Sequence, residues 1–235
     1  SLARVAGDTG TAYEQMMSPQ VGVDLIYSAL TKIPNYDENP SSTILIVLQQ
    51  LAQLLNASGH TEDAASIYRH VLTKQLSMWP PDDPANLAAR HNLAASLGRS
   101  PQGWDEAESE FRELLQDERE ILGEDHENTL ATRQQLAVLI GRRGDWKTAE
   151  TEFSTLLADE RRLLGVDSKT VLAARHNLAQ AIYQQGRRGE AEAEFHTLMV
   201  DEQRLLGRDH LITATTSNFR DGGLLILPVM STPRL

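Results

Sequence analysis

The 235-residue chain contains no cysteine, which removes disulfides, thiolate metal sites and a thiol nucleophile in one step. That fits a reducing compartment, with the cytoplasm as the default. It also has no apolar run near the roughly 18 residues a membrane-crossing helix needs. The opening SLARVAGDTG lacks the basic start and apolar stretch of a secretory leader. No membrane association is expected. Basic charge is scarce too: the net charge is −11 and the pI near 5.1. Nucleic-acid partners are therefore not expected, because phosphate recognition leans on clustered Lys and Arg. With 40% hydrophobic and 23% charged residues, the composition is that of an ordinary folded protein of one or two domains.

Catalytic signatures are missing as well. GRRGDWKT at 141–148 has the wrong spacing for a phosphate loop and reads as a helix–helix turn. His126-Glu127 has no second histidine at the zinc-helix step. Asp8-Thr9-Gly10 is a single copy of a triplet that an aspartic protease needs twice. The serines have no periodic His and Asp around them. The chain reads as a non-enzyme, with no cofactor and no metal. Trp104 and Trp146 fall at equivalent turns and read as turn packing.

What the sequence has in abundance is repetition. RHNLA stands at 90–94 and again at 175–179, with RQQLA at 133–137 between them. The alanine of this phrase recurs as Ala52, Ala94, Ala137 and Ala179, at steps of 42, 43 and 42 residues. A second marker, Ala64, Ala107, Ala149 and Ala191, keeps nearly the same beat, and each is followed four residues later by an aromatic: Tyr68, Phe111, Phe153 and Phe195. A third marker is the glycine of ILGEDH, LLGVDS and LLGRDH: Gly123, Gly165 and Gly207. The extra residue in one interval is best placed in GRSPQGW, where proline and glycine make an insertion cheap.

Each unit reads as two helices. The first carries an apolar stripe at helical period, Leu87, Leu93, Ala94 and Leu97 in one copy. Glycines at 98, 144 and 186 are expected to close it in the left-handed conformation. The second runs through Ala107, Phe111, Leu114, Leu115, Ile121 and Leu122 and halts at Gly123. Asp125, Asp167 and Asp209 are placed to accept backbone N–H groups at the start of the next helix. Small residues at both alanine markers let paired helices approach, with the aromatic filling the space between them. One hairpin cannot bury its stripe alone, so neighbours must stack.

This pattern of Leu-Ala, Gly, Glu-Ala, Phe and LLG-x-D-H at about 42 residues resembles tetratricopeptide repeats of the longer, kinesin light chain type. The resemblance covers residues 40 to 210. It departs from the family's loop proline, present as Pro84 but replaced by Glu127, Lys169 and Leu211. It implies an all-α fold, a right-handed superhelical solenoid of antiparallel helix hairpins. Residues 40–209 make four repeats, with 1–39 as N-terminal capping helices of an eroded repeat and 210–235 as a partial repeat and tail. Leu224 to Met230 reads as a capping or frayed tail, or as a self-docking segment.

Leu93 and Ala94 belong to the packed stripe, whereas His91 and Asn92 sit roughly 200° and 100° behind Leu93, off it. The resemblance implies that this side lines a concave groove where extended peptides lie. Carried over, the groove residues are Gln49, Gln53, His91, Asn92, Gln134, Gln135, Arg142, His176, Asn177, Gln180 and Tyr183. Amides and imidazoles donate and accept together, which suits a peptide backbone; the plain alternative is a solvated face without a ligand. The first helices, read as 43–58, 85–98, 129–143 and 170–185, contain no Asp or Glu. The second helices hold the acids, among them Asp105, Glu106, Glu113, Glu118 and Glu160, expected on the outside. Arg90, Arg133 and Arg175 face the packed stripe and read as structural, paired with recurring acids such as Glu108, Glu150 and Glu192 or Asp117, Asp159 and Asp201. The expected function is a protein- or peptide-binding scaffold whose partner is acidic or neutral and partly apolar. The alternative is a ligand- or peptide-sensing regulatory module of a larger protein.

Overall fold

A computed structural model describes Ser28 and residues 41–206. Aside from Ser28, the segments read as an eroded first repeat and as a C-terminal partial repeat and tail lie outside the described residues. The described residues form helices joined by turns, with no strand among them: α1 Ser42–Ala57, α2 Thr61–Met78, α3 Pro84–Leu97, α4 Trp104–Ile121, α5 Glu127–Arg142, α6 Trp146–Leu164, α7 Lys169–Gln184 and α8 Arg188–Leu206. Contacts group the chain into two units, Ser1–Asp117 and Glu118–Leu235.

In the first unit, Leu45, Leu48, Leu51, Ala52 and Leu55 of α1 form one core with Ala64, Ala65, Tyr68 and Val71 of α2, joined by Leu93 of α3. Ala52 and Ala64 are fully buried, and Tyr68 fills the gap their small side chains leave beside them. The next pair repeats the device with Ala94, Ala107 and Phe111. A polar tie crosses between pairs, where the Ser96 hydroxyl donates to Asn56 Oδ1 at 3.0 Å and to the Thr61 carbonyl at 3.1 Å. The Asp83 carboxylate caps α3 by accepting from the Ala85 N–H at 2.9 Å, and Pro84 occupies the first helical turn, where its missing N–H is not needed.

The turn after α3 departs from expectation. Gly98 keeps a right-handed φ of −65°, while Gly144 and Gly186 adopt the left-handed values of 99° and 83°. A short 3-10 turn, Pro101–Gly103, follows Gly98 and absorbs the extra residue of this copy. The turn folds back so tightly that a Cβ on Gly103 would lie 2.5 Å from the Leu97 carbonyl oxygen.

In the second unit, Ala137, Ala149, Phe153 and Ala181 pack together, as do Leu172, Ala179, Ile182, Ala191, Phe195 and Leu198. Leu157 of α6 meets Val171 and Ala174 of α7. The loop aspartates do not cap the helices that follow them. His126 Nδ1 accepts from the Asn128 N–H at 3.2 Å, and Ser168 Oγ accepts from the Thr170 N–H at 3.3 Å. Asp125 and Asp167 stand one residue too early for that role and instead accept from Arg162 at 2.8 Å and Arg204 at 2.7 Å. Helix α5 also begins at Glu127, so one first helix does carry an acid.

Candidate functional site

The aromatic plugs decide where the predicted site residues go. His91 and His176 are buried, set edge-on to Phe111 and Phe195 with ring centroids 5.9 Å and 5.3 Å apart. Burial pushes both imidazoles down to about 4, so they are neutral at neutral pH. Gln134, which holds the same register place, and its neighbour Gln135 are buried as well. Four residues read as lying off the packed stripe thus stand inside it. A first helix packs on two flanks: α3 on α2 and α4, α7 on α6 and α8. A single-stripe wheel accounts for only one of those flanks.

What stays accessible is a narrow strip at i, i+4, i+7 and i+11. On α3 it comprises Ala88, Asn92, Ala95 and the following Arg99; on α7 it comprises Ala173, Asn177, Gln180 and Gln184. On α1 the strip includes half-buried Gln50 and exposed Gln53, with Gln49 half-buried beside it; on α5 it ends at half-buried Arg142. Tyr183 is half-buried at the end of α7, with the Arg188 guanidinium 5.8 Å from its ring centroid, in range for a cation–π contact. One amide occupies the same register in every first helix: Gln50, Asn92, Gln135 and Asn177. Gln50 was missed by the sequence reading, although it stands one repeat interval before Asn92.

The three recurring arginines are structural, as the sequence reading held, and their partners can now be named. Arg90 donates to Glu110 at 2.6 Å and to Asp117 at 2.5 Å. Arg133 donates to Asp159 at 2.8 Å. Arg175 donates to Glu194 at 2.9 Å, Asp201 at 2.7 Å and the Thr197 hydroxyl at 3.0 Å. Burial works against the Arg175 guanidinium, but its hydrogen bonds to Asp201 and Glu194 outweigh that and hold its pKa above the ordinary value. Of the alternative acids, Glu108 takes Arg112 and Glu150 takes Arg187. Asp105, Glu106 and Glu113 are exposed on the second helices, whereas Glu118 and Glu160, read as outer acids, are buried.

The segment 141–148 is the turn between α5 and α6, with Asp145 capping α6 by accepting from the Thr148 N–H at 3.1 Å. Trp146 packs into the cluster of Ala137, Ala149 and Phe153, which is turn packing. Among the described residues no group of three His, Asp or Glu could hold a metal ion. No described helix is long and apolar enough to cross a membrane.

Residues 171–211, which begin in α7 and run past α8, match the tetratricopeptide repeat family. That segment is similar to a single tetratricopeptide repeat. Solved structures extend the likeness over most of the chain's length. The chain is similar to a Podosopora anserina protein of nearly identical TPR-like repeats, described as a kinesin light chain candidate. The two share 21% identity at a TM-score of 0.69, covering 86% of this chain and 94% of that one. It is similar to BtubC (BKLC) from P. vanneervenii, at 18% identity and a TM-score of 0.64, covering 98% and 85%. A Rap protein complexed with Competence and Sporulation Factor matches at 13% identity and a TM-score of 0.63, covering 92% and 62%. At these identities the likeness is one of fold: an all-α tetratricopeptide solenoid of stacked helix hairpins. No curated protein sequence matches the chain.

Proposed function

We propose that the protein is a non-enzymatic scaffold that binds a protein segment or extended peptide along the accessible strip of its first helices. The observation that carries this reading is the division of labour between the polar residues. The arginines and histidines that recur are consumed by packing, while Asn92, Asn177 and Gln180 recur or stand nearby with their amides within reach of solvent. An amide both donates and accepts, so it can pair with either group of a peptide bond. The small Ala88, Ala95 and Ala173 beside them let a backbone come close. Arg99 and Arg142, at the ends of their strips, favour a neutral or acidic, partly apolar partner. The cytoplasm is the compartment we propose.

Binding of an array of extended peptides should fall at least tenfold when Asn92, Asn177 and Gln180 are replaced together by Asp, with the helical signal unchanged. Equal binding by that variant would place the contact surface elsewhere. The likeness to a Rap protein complexed with Competence and Sporulation Factor supports a second reading, a peptide-sensing regulatory module. That reading requires the hydrodynamic radius to change when peptide binds; a pure scaffold keeps its dimensions.

A further inference from the structure

A row of buried polar residues runs through the second helices at the repeat interval: Gln75, Glu118, Glu160 and Glu202, none more than 5% exposed. The three glutamates each follow an aspartate, and Asp117, Asp159 and Asp201 are the clamps on Arg90, Arg133 and Arg175. One residue further on is about 100° further round the helix. The aspartate turns to the arginine of its own hairpin, so the glutamate stands on a different face of the helix. Glu160 shows where it goes. It lies one turn beyond Leu157 on the same face of α6, and Leu157 packs on Val171 and Ala174 of α7.

The register also fixes what stands across each seam. Fourteen residues beyond each polar position come Ala89 for Gln75, Thr132 for Glu118 and Ala174 for Glu160, all fully buried. An amide opposite a methyl carries no charge to desolvate, and an acid opposite a threonine has a hydroxyl in its register. Glu160 alone of these three is an acid opposite a methyl. Both of its carboxyl oxygens are buried and neither has a hydrogen-bond partner. Desolvation lifts its carboxyl to about 7, against Arg133, which lowers it, and with Asp159, which raises it further. Arg133 is the charge that faces it from α5, and Asp159 is the one on its own helix, held by Arg133 and Arg162. On α7, Val171 and Ala174 pack on Leu157, one turn before Glu160; that helix's Lys169 is exposed at its start, its Arg175 is taken by Glu194 and Asp201, and its His176 is neutral.

We propose that Glu160 makes the seam between α6 and α7 a pH-dependent joint: the side chain packs as the neutral acid, and its ionisation draws water into the seam and loosens α7 from α6. A carboxyl whose proton is held more tightly in the folded state stabilises fully below its unfolded value, and that contribution is lost as the pH rises through the folded one. The joint is therefore tight in mild acid, loosens as the pH rises toward 7 and is loosest above it. Ala174, where the preceding repeat has Thr132, singles out this seam.

The test is hydrogen exchange of α7 amides, expressed as protection relative to the unstructured chain, between about pH 5.5 and about pH 8. In the natural protein, protection of residues 171–178 should drop several-fold across that range. Glu160→Gln should remove the drop, and Ala174→Thr, which supplies a donor to the carboxylate, should shrink it, because a hydrogen bond to the ionised form brings the folded value back toward the unfolded one. A carbon-detected titration of the Glu160 carboxyl gives an independent reading on the unaltered chain, with a midpoint near 7 expected. A midpoint in the ordinary carboxylate range, or the same loss of protection in Glu160→Gln, overturns the proposal.

Discussion

In α5–α6, Gln134 stands where α7–α8 has His176 against Phe195, and Arg133 is held by one acid where Arg175 is held by two and a threonine. Beneath these differences the apolar frame is the same. Ala137, Ala149 and Phe153 in one pair answer to Ala179, Ala191 and Phe195 in the other, all buried. The comparison separates two kinds of repetition. Shape is repeated without tolerance, because a hairpin whose helices cannot approach has no core. Polar devices are repeated only in place, and their strength varies from copy to copy.

The largest effect tests the shared frame. Phe153→Ala and Phe195→Ala should each remove a buried plug at about 3–5 kcal/mol, read by denaturant unfolding. Equal losses support the equivalence of the two pairs, and a difference above about 1.5 kcal/mol would break it. The clamps come next. Arg175→Ala strands two acids and should cost about 2–3 kcal/mol, against about 1–2 kcal/mol for Arg133→Ala, which strands one acid of similar exposure; a reversed order would show that the number of partners does not set a clamp's strength. The smallest effect is confined to acid. His176 is held near 4 when folded against 6.5 when free, so its contribution is present above 6.5 and is lost as the pH falls through 4. His176→Gln, which copies Gln134, should flatten that acid limb of the melting curve while leaving its neutral value little changed. The Glu160 contribution runs the other way, being lost as the pH rises toward 7.

The frame was legible in the sequence because packing demands the same residue at the same interval: Ala52, Ala94, Ala137 and Ala179 announce helix contacts without any knowledge of angle. The caps were not, since Asp125 and His126 are both good acceptors and only the backbone decides which of them leaves the helix first. His91 was misplaced because a helical wheel registers one apolar stripe, whereas α3 is covered from two sides. Glu118 and Glu160 were assigned to the surface on residue type, although their register with buried Gln75 was readable. The arginines were read correctly as structural, but their reach spans several acids of equal period, and only coordinates choose among them.

The ties from Arg162 to Asp125 and from Arg204 to Asp167 span 37 residues each, within a lattice of 42. Each links one hairpin to the loop before it, while the arginine clamps close inside a single hairpin. Unequal crossing-over that drops or adds one whole period therefore leaves every clamp intact and presents Arg204 with Asp125 in place of Asp167. A gene of this kind can change length in quanta without orphaning a charge, and any other length of insertion would have to be absorbed in a turn such as Pro101–Gly103.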